Sequence, residues 1–258
     1  MAQESHGAGR TVTAAVLVIG DEILSGRTQD TNTRDIARAF GARGVDLSEV
    51  RVVPDVHEEI VAALDALRHR YDYVVTTGGI GPTHDDITAD AVAAAFGVPL
   101  HEDAEIVAEL ERRMGEPPNA ARRRMARIPE GGEKVRNPVS GPPGFRIGNV
   151  FVLAGVPSIM RGMLEDVLPR LEGGAVTVSR TLRVTGTGEG NLAAPLEAVA
   201  RAHRAMSLGS YPFQIEGGGY GANLVVRGRD PAEVEQALGE LEAALAQAGV
   251  QGAVRVAE

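Results

Sequence analysis

Residues 76–88 read TTGGIGPTHDDIT, and a bare strand-to-helix connection needs neither three glycines nor two adjacent aspartates. Gly78, Gly79 and Gly81 let backbone amides come close to a ligand, and phosphate is the usual reason for such an approach. Thr77, Thr83 and Thr88 add hydroxyls, and Pro82 stiffens the turn. Asp85 and Asp86 act in the opposite sense, because they repel phosphate unless a cation lies between. Two further segments share this composition. GDEILSGRTQDTN (20–32) supplies Gly20, Asp21, Glu22, Asp30 and Asn32, and LAGVPS (153–158) supplies Gly155, Val156 and Pro157. Hard carboxylate oxygens beside a phosphate-attracting turn suit Mg²⁺ or another divalent cation, which takes one or two carboxylates, waters and substrate phosphate oxygens. The candidate metal set is therefore Asp21, Glu22, Asp30, Asp85 and Asp86, with Asp30, Asp85 and Asp86 as the candidate catalytic acids. Taken singly, each acid has a plainer role as a helix cap. Taken together, the three loops describe a site.

Several other chemistries are excluded or weak. The 258 residues include no Cys, which removes thiolate nucleophiles, disulfides and Cys-type zinc sites. Neither GxxxxGK[ST] nor GxSxG occurs, so the chain is not a Walker-type ATPase or an α/β-hydrolase. A formal net charge of -9 argues against a general nucleic-acid binder and leaves anion binding to local amides, a few Arg or a metal. RRR (122–124) reads as a solvated helix face before it reads as a phosphate ligand. His84 adjoins the aspartates but stays outside the catalytic set. GTGEGN (186–191) is as well explained by a helix N-terminus as by a phosphate loop, and GSYPF (209–213) reads as a strand end.

These loops need elements to hold them. TAAVLVIG (13–20) is a continuous apolar run, as expected of a strand buried on both faces. Helical patterns at 30–44, 56–71, 87–97 and 101–115 alternate with strand patterns at 45–53 and 72–79. A loop then feeds a hairpin around Gly148-Asn149, and a helix follows at 158–171. The expectation is an α/β fold with a doubly wound, mostly parallel sheet over 11–172. The polar, Gly-rich joint at 172–174 precedes a small α+β domain over 175–258, with strands at 176–185, 206–213, 222–228 and 252–256 and helices at 190–204 and 231–248. Residues 1–10 are polar and read as a disordered start with no signal peptide. No apolar run approaches membrane-spanning length, so no membrane partner and a cytoplasmic location are expected.

VIGDEILSGRTQDTNTRDIA, PDVHEEI, DYVVTTGGIGPTHDDITADAVAAAFGVPL and LAGVPSIMRGMLEDVLP together resemble the molybdopterin-binding-like (MoaB/MogA-type) domain of the competence/damage-inducible protein A (CinA) family. The resemblance covers about 13–171. The remainder, with SLGSYP, resembles the small KH-type domain that follows in CinA proteins, and the nicotinamide-nucleotide deamidase domain that ends full-length members has no counterpart. The resemblance implies a metal-dependent hydrolase that cleaves ADP-ribose, or a related dinucleotide, to AMP and ribose 5-phosphate. Two alternatives stay open: adenylyl transfer to molybdopterin in molybdenum cofactor biosynthesis, and a non-catalytic binding module. It also implies a small nucleotide diphosphate or pterin as partner and self-association as a dimer or trimer. The sequence departs from the family pattern at AGVPSI, where Ala154 replaces a proline and Ile159 stands where an acid is common, and at SGPPGF (140–145). These departures leave altered metal binding, a changed substrate or binding without turnover open.

Overall fold

The computed structural model describes residues 10–215 and 217–256; the expected loose start lies, Arg10 apart, outside them. The chain divides into two compact units, Met1–Ala175 and Val176–Glu258.

In the first unit, β1 (Val12–Ile19) leads through a single helical turn, α1 (Asp21–Leu24), to α2 (Asn32–Gly41). Then follow β2 (Val45–Val53), α3 (His57–Arg68), β3 (Tyr73–Thr77) and α4 (Thr88–Phe96). A short strand β4 (Leu100–Glu102), α5 (Ala104–Met114), α6 (Ala120–Arg123) and β5 (Arg127–Pro129) form a side excursion. The chain returns through β6 (Glu133–Asn137), β7 (Gly141–Ile147), β8 (Val150–Leu153) and α7 (Pro157–Val167). The six-stranded sheet runs β2-β1-β3-β8-β7-β6. Its first four strands are parallel, β7 runs antiparallel to them, and β6, antiparallel to β7, runs with them again, so the mostly parallel α/β fold is present. The β7–β8 hairpin turns at Gly148-Asn149, as the sequence predicts.

β1 is apolar from Ala14 to Ile19 because helices cover both sides of it. Ala15, Leu17 and Ile19 pack with α3, α4 and α5, whereas Ala14, Val16 and Val18 pack with α2 and α7. From β1 the chain passes to β2 on one side and later to β3 on the other. That reversal opens a crevice beyond the carboxyl ends of β1 and β3, where ligands of open α/β sheets bind.

Several elements differ from the sequence reading, among them β5, a strand that was not expected, and α7, which ends at Val167. The helix expected over 101–115 begins only at Ala104, because His101 and Glu102 pair with β5. β6 is an unexpected strand; its sequence, EKVRN, is too polar and short to signal one. The helix expected from residue 30 starts at Asn32, with Asp30 capping it from outside. Asp103 caps α5 in the same manner, accepting from Glu105 N at 2.9 Å and Ile106 N at 3.0 Å, while Lys134 Nζ lies 2.9 Å from its other oxygen. Asp103→Ala is therefore expected to cost about 1–2 kcal/mol, which calorimetry would read as a fall in Tm of about 2–8 °C.

The second unit runs β9 (Val178–Thr185), α8 (Ala193–Ala202), β10 (Ser207–Ile215), β11 (Gly219–Gly228), α9 (Pro231–Gln247) and β12 (Ala253–Arg255). Its antiparallel sheet has the order β10-β11-β9-β12. This is the βαββαβ split-βαβ arrangement, which corrects the KH-type expectation. The pattern of one strand and one helix either side of a hairpin was legible, but strand order is set by which edge each crossover reaches, and composition does not report that.

Candidate functional site

Four loops leave the carboxyl ends of β1, β2, β3 and β8, and the glycines predicted to face a ligand also let those loops close on one another. Gly78 has φ 106°, and a Cβ there would stand 2.1 Å from the carbonyl oxygen of Ile19 at the end of β1. A Cβ on Gly155 would stand 3.2 Å from the Cα of Gly78. Gly78 N also donates to Leu153 O at 3.2 Å, tying the end of β3 to the end of β8. Gly79 has φ 65° and leaves no room for a side chain beside the Thr88 hydroxyl; that hydroxyl donates to Gly78 O at 2.9 Å. Thr88 N donates to Gly79 O at 3.0 Å, closing the loop onto the first turn of α4.

Asn32 joins the loops that follow β1 and β8. It is buried at the start of α2, and its Nδ2 donates to Gly155 O at 2.8 Å. Its Oδ1 is buried without a hydrogen-bond partner, as are the hydroxyls of Thr33, Thr76 and Thr77. Four enclosed, unpartnered oxygens on α2 and the end of β3 are unusual, since buried polar groups are nearly always paired. Val156 is exposed, and Pro157 occupies the first turn of α7.

The five nominated acids divide by role. Asp30 Oδ1 accepts from Asn32 N at 2.9 Å and Thr33 N at 3.2 Å, so this carboxylate caps α2 and fixes Asn32. Asp86 turns back into its own loop, where Oδ2 accepts from Thr83 N at 2.8 Å and from the Thr83 hydroxyl. A Cβ on Gly81 would meet that same oxygen at 2.6 Å. Thr83, expected to hold phosphate, instead gives its hydroxyl to shaping the turn. Asp21 and Asp85 are exposed and Glu22 half-buried. The Asp85 carboxyl lies below its ordinary range, with the Thr83 hydroxyl, whose hydrogen bond goes to Asp86, close enough to be the largest cause. Among the described residues no three acids or histidines stand close enough together to hold a metal ion by themselves; the five do not form one ligand set.

The residue the sequence reading passed over is Asp55. It follows β2 in the PDVHEEI segment, which carries part of the resemblance but none of the glycines that mark the other loops. Its Oδ2 accepts from Asp21 N at 3.0 Å. Burial pushes its pKa above the usual value, and the negative charges of Asp21, Glu22 and Asp85 push in the same direction against that one backbone hydrogen bond. Asp55 is therefore where the first, second and GPTHDD loops meet electrostatically. Arg124 was also underweighted: its Nη2 donates to Asp86 O at 3.2 Å, while Arg122 and Arg123 pair on the surface with Glu116 and Glu102.

The family described as "Probable molybdopterin binding domain" matches residues 15–173, and "FAD synthase, middle domain" matches 177–254. A CinA-like protein of Gemmatimonas aurantiaca is 39% identical over 212 residues, covering 76% of this chain and 50% of its own length. A protein of Archaeoglobus fulgidus is 32% identical over 227 residues, covering 88% of this chain and 95% of its own length. The crystal structure of the CinA protein from Thermoplasma acidophilum, described as of unknown function, aligns with a TM-score of 0.59 at 33% identity, over 61% of this chain and 96% of that one. The chain spans about half or less of the length of the first CinA-like relatives it matches.

Proposed function

The chain belongs to the family of probable molybdopterin binding domains, in its CinA-like form, and from that premise we propose that the β1/β3 crevice binds and cleaves a nucleotide diphosphate. The substrate class is ADP-ribose or a related dinucleotide, and the products are AMP and ribose 5-phosphate. The observation that carries this reading is the meeting of four strand-end loops around enclosed, unpartnered oxygens, with the Asp55 pKa raised first by burial and then by three neighbouring acids. An anionic cluster of that kind is relieved by a cation, and its residues fit one. Asp55, with Asp21, Glu22 or Asp85, would hold Mg²⁺ or another divalent ion, whose chemistry is to neutralise charge on the diphosphate.

The protein's own groups do the remaining work. Amides of the Gly79–Gly81 turn and the first turns of α4 and α7 face the phosphates, where helix dipoles favour negative charge, while the Gly78 amide is held by Leu153 O. Asn32 fixes the Gly155 turn against α2, and exposed Val156 offers an apolar wall for the nucleoside. Asp85, ionised at neutral pH, orients the attacking water. The water oxygen forms a bond to phosphorus as the bond to the bridging oxygen breaks. The leaving phosphate takes the electron pair, and the water proton passes to solvent.

The match to a molybdopterin-binding family favours one second reading, adenylyl transfer to molybdopterin. Incubation with ADP-ribose and Mg²⁺, Mn²⁺, Co²⁺ or Ni²⁺, resolved by chromatography, separates the two. AMP and ribose 5-phosphate are expected in at least one metal. Adenylylated pterin formed from ATP and molybdopterin, without cleavage of ADP-ribose, would replace hydrolysis with transfer; tight binding without any product would leave a binding module.

A further inference from the structure

Among the described residues of the second unit, α8 and α9 both pack on one face of its sheet. Leu182, Val184, Ala222, Leu224 and Val226 are buried against α8 and α9, so side chains one residue removed along each strand lie on the other face. Cross-strand register places Tyr211, Asn223, Arg183 and Val254 in one row across all four strands of that face. Phe213 and Arg227 lie on the same side, two residues from Tyr211 and four from Asn223.

This face has a chemistry unlike the rest of the chain. None of its four strands contains an acidic residue, although the protein carries a net charge of -9. The arginines of the helix-covered side are neutralised: Arg180 and Arg255 pair with Glu235, and Arg255 also with Glu242. On the open side, Arg183 and Arg227 have no carboxylate partner among the described residues. The guanidinium of Arg183 instead lies 4.1 Å from the centre of the Phe213 ring. Glycines make room for both rings. A Cβ on Gly221 would stand 2.9 Å from Phe213, and one on Gly209 would stand 3.2 Å from Tyr211. Tyr211 is 55% exposed, and between these groups the amide oxygen of Asn223 is enclosed and unpartnered.

Planar rings and a stacked guanidinium with uncompensated positive charge form a platform for bases joined by phosphates. Two other occupants fit worse. An added strand would pair at the β10 edge, where Pro212 lacks a donor. A second copy laid face to face would set Arg183 and Arg227 against their own counterparts. We infer that the open sheet face of the second unit binds single-stranded nucleic acid, with successive bases on Tyr211 and on the Arg183–Phe213 stack and a phosphate at Arg227. Tyr211 and Phe213 stand roughly 7 Å apart along one strand, a step that an unstacked strand can span. Because the rest of the chain is acidic, binding is local and sensitive to salt.

The test is fluorescence anisotropy of the full chain with a labelled single strand of about twelve nucleotides, at about 50 and about 200 mM salt. A duplex of the same length and free AMP serve as further arms. Saturable binding to the single strand and not the duplex is expected. Tyr211→Ala should weaken it about tenfold or more with an unchanged circular dichroism spectrum. Arg227→Ala should reduce the slope of log affinity against log salt by about 0.7. The inference is overturned by absence of binding at low salt, by equal binding to duplex, or by affinity unaltered in Tyr211→Ala. AMP binding as tightly as the oligonucleotide would overturn the strand in favour of a single-nucleotide site. Sedimentation showing self-association that Tyr211→Ala abolishes, with no oligonucleotide bound, would make the face a contact between copies.

Discussion

Gly78→Ala is expected to destabilise the first unit by roughly 3–5 kcal/mol, combining a left-handed backbone with an unavoidable overlap. With φ at 106°, the residue lies where side chains are disfavoured, and a new Cβ would stand 2.1 Å from Ile19 O. That oxygen ends a central strand whose neighbours on both sides are hydrogen-bonded to it, so it cannot withdraw without disturbing β2 and β3. At about 2–4 °C per kcal/mol, the melting temperature should drop by about 6–20 °C. Gly26 provides the control. It also has positive φ, at 72°, but no atom lies within 4 Å of a Cβ there, so Gly26→Ala should cost only the backbone strain, about 1–3 kcal/mol. Equal losses in the two variants, read by calorimetry, would show that the close approach of β1 and β3 is not what Gly78 serves.

The glycines of residues 76–88 thus have two functions that the sequence does not separate. Gly78 lets three strand ends converge, and Gly79 seats the Thr88 hydroxyl; both are packing roles that create the crevice. The sequence made the parallel sheet legible because continuous apolar runs such as residues 13–20 require helices on both faces. It made the crevice legible because each suspect loop follows such a strand. It could not show which acids are already engaged. Asp30 and Asp86 look identical in type to Asp21 and Asp85, yet Asp30 caps α2 and Asp86 accepts from Thr83. Asp55 was missed for the converse reason: a lone Asp after a strand has no distinctive neighbours in sequence, and its importance comes from loops that only folding brings beside it. In the second unit the lack of carboxylates in all four strands is written in the sequence, but which residues share the helix-free face follows from register and strand order, which are not.

Asp55→Asn is the variant on which the proposed chemistry depends most directly. It keeps the side-chain shape and an oxygen able to accept from Asp21 N, but removes the charge that burial and three neighbouring acids oppose. Loss of a charge that assists the transition state should lower turnover of ADP-ribose about a hundredfold or more. Stability should change in the other direction. The folded pKa of Asp55 is raised above its ordinary value of 3.8, so the native state holds a proton that the unfolded chain has already released. Stability therefore falls as pH rises from near that ordinary value through the raised one, and the deficit persists at neutral pH. The amide of the variant does not ionise, so Asp55→Asn should melt higher than wild type at pH 7. Below both pKa values, where Asp55 is neutral in either state, the advantage should vanish. A divalent cation that binds only the folded protein raises the wild-type melting temperature by mass action and should raise that of the variant less. Thermal scans at acid and neutral pH, with and without Mg²⁺, separate this from a structural role. If Asp55 served only as the acceptor for Asp21 N, the variant would melt at or below wild type at pH 7, with the same response to metal and unchanged turnover.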